Sequence, residues 1–293
     1  MSAKANFELV EAFHPTLAKL DYTQTSVKFK LIGASVLVWA SIYTLSAILA
    51  SFVSTYSRLK VKEKVFWNLA VVRASFGFFC TAVGSWAIFT QTAMDKDVVF
   101  GTTPTSYFSL CITVGFFLFE CSALTISDVI FKSFSFLLNL HHWLSLVGYC
   151  LVIYTGAAHC FACKGLILEM STPLSALCWT LLKAGKERSF VWKANQFLLV
   201  HTFHLRSVVE CMFWYITYHN WNTIWGTMPM SVFLALYVQL TLVSLVMTPY
   251  WTYKKTVQMI NPVDWNFEKT VNAANHPQTS LNGSAATELK KSA

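Results

Sequence analysis

Two adjacent histidines, His141 and His142, lie inside an apolar run flanked by residues 131–140 and 143–154, with no turn residue near the pair. A titratable side chain in hydrocarbon is costly, so it normally faces a bundle interior or a water-filled cavity and marks a functional site. Other apolar runs carry Arg73, Glu120, Glu169, His201, His204, Arg206 and Glu210. A low-dielectric interior favours the neutral imidazole, the form that serves as general base or nucleophile. Metal binding is the weaker reading. The histidine pairs have no thiolate partner and no spacing such as H-E-x-x-H, so no metal is expected.

The runs that must hold these residues dominate the composition: 55% of the chain is hydrophobic and 12% charged, with mean hydropathy +0.49. Soluble domains carry roughly 25% charge, so an all-α polytopic membrane protein is predicted. About seven spans are expected, at residues 31–53, 65–91, 106–127, 134–155, 165–182, 192–217 and 229–249. The net charge of +8 does not indicate nucleic acid, because Lys and Arg gather at span ends and no zinc-finger, phosphate-loop or RNA-binding signature occurs. Residues 1–30 are polar and lack the early apolar core of a cleavable signal. Six of the eight cysteines fall in apolar runs and read as packing residues, while Cys160 and Cys163 form a C-x-x-C assigned to a short loop.

Charge sets the expected topology. Arg58, Lys60, Lys62, Lys64, Lys183, Lys186, Arg188, Lys193, Lys254 and Lys255 occupy alternate connectors, which the positive-inside rule assigns to the cytosol. The segments around Asp95, 156–164 and 219–226 are then luminal, as is the N-terminus, although Lys28 and Lys30 abut the first span. Trp214, Tyr215, Tyr218, Trp221 and Trp225 read as a luminal interfacial belt, with Tyr250, Trp251 and Tyr253 as its cytosolic counterpart. The polar stretch 270–293 is expected to be a disordered cytosolic tail. Its Lys290 and Lys291 form a dilysine retrieval signal read by coat proteins. Its sequon at Asn282 is expected to stay unglycosylated.

Depth counting sharpens the chemical clue. Arg73, Glu120, His141, His142, His201 and His204 fall roughly 10–20 Å from the basic boundary at 1.5 Å per residue, one stratum suited to a shared cavity. His201 and His204, spaced i, i+3, are expected to look into the same interior, and Arg206 with Glu210, spaced i, i+4, to form an ion pair. Arg73 either joins the stratum or snorkels outward. Glu169, just before Ser171, Thr172 and Pro173, is expected nearer the luminal end.

Particular stretches resemble a known family. KEKVFWNLAVVRASFG at 62–77, LEMSTP at 168–173, LLKAG at 181–185, PYWTYKKT at 249–256 and NPVDWNF at 261–267 are similar to TLC-domain proteins, which include the ceramide synthases and the translocation-associated membrane proteins. The resemblance covers about residues 60–265. It implies a six-helix TLC bundle with one extra helix at 31–53, which follows the segment 1–30 that the charge pattern makes luminal. Ceramide synthases transfer an acyl group from acyl-CoA with an intramembrane histidine pair, and His141 and His142 fall on that pair. Their later His-Asp has no counterpart at His201 or His204, which speaks against a sphingoid-base acceptor.

The resemblance thus implies an acyltransferase with acyl-CoA as co-substrate. His142, His141, His204 and His201 are its candidate catalytic residues, one of the pair acting as base or acyl carrier and the other stabilising charge. Arg73, Glu120, Glu169 and Arg206 are candidate substrate-binding residues, the arginines suited to an anionic lysophospholipid or glycerophosphodiester. Phe116, Phe117 and Phe119 would line the acyl tail. The same resemblance implies a non-enzymatic alternative: a receptor cycling between endoplasmic reticulum and the ER-Golgi intermediate compartment with lysosomal enzymes as cargo. That role would need a membrane partner subunit, and its loss would lead to lysosomal storage in neurons; a homo-oligomer is a separate expectation. A ceramide or lipid sensor using the cavity without turnover is the third reading.

Overall fold

Hydrocarbon offers no partner to a backbone amide, so each long apolar run closes its own hydrogen bonds as a helix. The computed structural model describes residues 8–264 and Phe267, and among them there is no strand. Seven long helices follow in order: α1 (Thr25–Ala50), α2 (Val61–Phe89), α3 (Pro104–Phe131), α4 (Phe136–Thr155), α5 (His159–Lys183), α6 (Phe190–His219) and α7 (Met230–Ile260). All but α6 are both long and apolar enough to cross a membrane, making the chain an all-α polytopic membrane protein. The 30 residues of α6 reach about 45 Å, ample for a crossing. Its histidines, Arg206 and Glu210 lower its hydropathy.

Local chemistry sets the helix ends. Glu63 in the first turn of α2 accepts from the Lys60 N–H at 2.9 Å. Pro104 opens α3, whose Thr103 cap accepts from the Ser106 N–H at 3.0 Å. Helix α4 stops at Gly156, whose φ of 70° costs a glycine little.

The helices form a ring in the spatial order α2, α3, α4, α7, α6, α5 and back to α2. Helix α1 packs outside this ring against α2 and α3. Its Trp39 meets Phe76 and Phe116 edge-on at 5.7 and 5.5 Å, and those two rings stack at 3.6 Å. Ser35 Oγ donates to the Ile112 carbonyl at 2.8 Å and accepts from Trp39 Nε1 at 2.9 Å, so the polar atoms at this contact are paired.

Helix α5 is the irregular wall of the ring. It is α-helical over His159–Gly165, a 3₁₀-helix over Leu166–Ser171 and α-helical again over Thr172–Lys183. Pro173 has no N–H to continue the ladder. The 3₁₀ stretch lies against α2 because Gly84 has no side chain. A Cβ there would collide with the Ile167 backbone nitrogen.

This helix starts earlier than predicted, at His159 and not at 165. Cys160 and Cys163 therefore lie in a helix as buried free thiols, correcting their assignment to a loop. Helix α7 likewise runs past the predicted 249, through a π turn at Val243–Met247, to Ile260. At the basic end Lys183 Nζ meets Glu63 at 2.5 Å and Asp264 at 2.7 Å, tying α2, α5 and the strand-less segment after α7 together. The predicted tail at 270–293, with Lys290, Lys291 and the Asn282 sequon, lies outside the described residues.

Candidate functional site

The ring is not filled. Two cavities occupy its middle, one of about 260 Å³ toward the basic end and one of about 130 Å³ toward the opposite end. Phe117, His141, Glu169 and Arg206 line both, so they form the waist between the two. The larger cavity is mixed in character, with Arg73, His142, Ser171, Trp179 and Lys255 on its walls. The smaller one is walled mainly by apolar groups, among them Tyr149, Phe161, Leu166, Phe213 and Val243.

Five helices, α2, α3, α4, α6 and α7, and the 3₁₀ turn of α5 deliver the polar groups. Consecutive residues of a helix are 100° apart, so adjacent histidines normally diverge. Here both reach the hollow because α4 crosses between α3 and α7. His142 is 8% exposed and its Nε2 lies 3.9 Å from Glu120 Oε1 of α3. His141 turns the other way, with Nε2 4.0 Å from Glu169 Oε1 and Nδ1 2.9 Å from Gln239 Nε2 of α7. Their rings stand 5.3 Å apart.

Glu120 has no solvent exposure and would be untenable alone. Arg73 of α2 resolves this, its Nε donating to Glu120 Oε1 at 2.7 Å and its terminal nitrogen lying 2.6 Å from the same oxygen. Arg73 thus faces the interior and does not snorkel. Glu120 Oε2 remains buried with no partner.

Arg206 is 4% exposed and donates to Ser171 Oγ at 3.3 Å. Its guanidinium stands over Phe203 at 5.2 Å and Trp251 at 5.6 Å, while its Nε is buried without a partner. The predicted ion pair with Glu210 is not formed. Glu210 instead accepts from Thr248 Oγ1 at 2.6 Å. A buried guanidinium with an idle donor beside two cavities is equipped to hold an anion.

Glu169 corrects its predicted depth. Because α5 begins at His159, Glu169 lies ten residues inside it and enters the histidine stratum, where its Oε2 accepts from Thr172 Oγ1 at 2.6 Å. His201 and His204 are a larger correction. Both are exposed, on the outer face of α6, with Nδ1 2.8 Å from the Phe197 carbonyl and 2.9 Å from the Val200 carbonyl. The inward phase of α6 belongs to Leu199, Phe203, Arg206, Glu210 and Phe213. His201 lies two residues, about 200°, from Phe203, and His204 lies equally far from Arg206. The expected four-histidine stratum therefore reduces to two.

Among the predicted tail-lining rings, Phe116 and Phe117 reach a cavity, whereas Phe119 packs on Tyr43 of α1 at 6.2 Å and reaches neither. Gln239 was missed by sequence reasoning. The signal for it is plain in retrospect: it is the sole amide in the apolar segment Met230–Leu242. Among the described residues no group of three or more His, Cys, Asp or Glu converges as a metal site.

A family profile described as the TLC domain matches residues 66–256. Protein CLN8 of the dog is 37% identical over 260 residues, spanning 88% of this chain and 90% of that protein. Human Protein CLN8 is 38% identical over 251 residues, spanning 85% of this chain and 87% of the relative. No solved structure matches the chain.

Proposed function

We infer the function from one premise: this chain belongs to the TLC-domain family and, within it, to the CLN8 proteins. On that premise it is an acyl-CoA-dependent acyltransferase of the endoplasmic-reticulum membrane, supporting lysosomal lipid homeostasis. Its basic end faces the cytosol, as the positive-inside rule favours. The observation that carries the reading is the pair of cavities meeting at His141, with His142 on the wall of the larger one. The smaller, apolar chamber suits a fatty chain. The larger suits the thioester and a polar acceptor, and Lys255 on its wall adds positive charge toward the CoA phosphates.

Arg206, buried with an idle Nε, favours an acceptor with a phosphodiester, a lysophospholipid or glycerophosphodiester, over an uncharged one. His142 acts as base or acyl carrier and His141 beside it stabilises charge. The cargo-receptor reading draws less support. The connectors at the end away from the basic cluster are short, at 90–103, 156–158 and 220–229, which leaves the expected luminal segment 1–30 as the main surface for a folded enzyme and calls for a partner subunit. A sensor that binds without turnover would use the same hollow, and one assay separates it from the enzyme. Protein purified into lipid nanodiscs is given acyl-CoA with lysophospholipid or glycerophosphodiester, and acylated product is followed by mass spectrometry. Product that depends on His142 supports the acyltransferase. Acyl-CoA binding without product in the native protein overturns it in favour of the sensor.

A further inference from the structure

The two imidazoles are chemically alike but are not held alike. His142 Nδ1 lies 2.7 Å from the Leu138 carbonyl oxygen. A carbonyl can only accept, so Nδ1 carries the proton and Nε2 keeps the lone pair. His141 Nδ1 faces the Gln239 amide nitrogen at 2.9 Å. An amide nitrogen can only donate, so this Nδ1 keeps its lone pair and Nε2 carries the proton. The second amide hydrogen of Gln239 is also used, since the same nitrogen lies 3.2 Å from Ser145 Oγ. Both of its hydrogens thus have acceptors on α4, while its Oε1 is buried without a partner.

We propose that Gln239 is a positioning residue for acyl transfer: it holds His141 as the Nε2–H tautomer beside His142 held as the Nδ1–H tautomer, so that one ring donates where the other accepts. This rests on the acyltransferase reading above. In the transfer His142 Nε2 takes the proton of the acceptor hydroxyl as its oxygen bonds to the thioester carbonyl carbon. The carbonyl oxygen, now an oxyanion, accepts from His141 Nε2–H. Collapse breaks the carbon–sulfur bond, and the leaving thiolate takes the proton from His142, giving free CoA thiol and the new ester. The net change moves one proton from hydroxyl to sulfur and returns both rings to their starting tautomers. Glu120, 3.9 Å from His142 Nε2, faces that nitrogen while it is charged. Without Gln239 nothing on α7 distinguishes the two tautomers of His141, and a ring with its lone pair on Nε2 would repel the oxyanion.

The test reads protonation and kinetics together, on the full chain in nanodiscs. With ¹⁵N-labelled histidine, wild-type protein is expected to show His141 unprotonated at Nδ1 and His142 unprotonated at Nε2, assigned by loss of signal in His141→Gln and His142→Gln. Gln239→Met keeps the length but removes the donor, and Gln239→Glu offers an acceptor. Both are expected to lower kcat at least about tenfold, within the range general acid–base groups supply, with KM for the acyl donor held within about twofold. Gln239→Glu is also expected to move the His141 proton to Nδ1. A proton on His141 Nδ1 in the wild type, or both variants keeping wild-type kcat, overturns the proposal. His142→Ala in the same assay addresses the underlying reading separately: if it turns over normally, acyl transfer through the pair is wrong, while the spectra still decide what Gln239 does.

Discussion

Helices α4 and α6 each carry two closely spaced histidines at similar membrane depth, yet only one pair reaches the hollow. His141 and His142 line cavities and meet Glu169 and Glu120. His201 and His204 are exposed on the outer face of α6, their Nδ1 atoms satisfied by carbonyls of their own helix. Depth is a count along the chain, but function here depends on phase around the helix axis. The contrast within α6 itself makes the point, because Arg206, two residues from His204, is buried at the waist.

The largest effect is expected when the α4 pair loses one histidine. His142→Ala should lower acyl transfer by about 10²–10⁴-fold while the protein stays monodisperse, the range expected for losing a general base. The next effect is on stability. Arg73→Met strands the fully buried Glu120 and should cost about 3–5 kcal/mol, read from SDS unfolding in mixed micelles. Adding Glu120→Leu to that variant should recover most of the loss, because the pair is then absent rather than broken. A smaller effect is expected at Gly84→Ala, whose Cβ would press on the Ile167 backbone. Overpacking of this kind costs about 1–3 kcal/mol and should displace Glu169 from His141, lowering turnover as well. Least of all, His201→Leu with His204→Leu should leave turnover within about twofold and stability within about 0.5 kcal/mol, as surface substitutions usually do. A large loss of turnover there would erase the distinction between the two pairs.

Much of the architecture was legible because apolar runs in lipid have one structural option, and because Arg73, Glu120 and the α4 pair stand out against them. What was not legible follows from the same solvent. In water an apolar stripe marks the inward face of a helix. In a membrane both faces are apolar, so nothing in the pattern of α6 distinguishes His201 from Phe203. Glu169 was misplaced because the boundary of α5 hinged on reading 159–164, with its C-x-x-C, as a loop. Gln239 was overlooked because a single amide among apolar residues resembles ordinary interhelical packing until its partner is known. The TLC resemblance pointed to the α4 pair; only the packing separated it from the pair on α6.

On the acyltransferase proposal, a fatty acyl chain enters the ring through the waist at His141 and lies in the smaller chamber. Photo-crosslinking with an acyl-CoA carrying a diazirine at the far end of its chain tests this directly. Labelling at Tyr149, Phe161 or Phe213, abolished by excess unmodified acyl-CoA, is the expected result. Competed labelling confined to outward residues of α6 such as Leu205 and Val208, with none in the chamber, would contradict it.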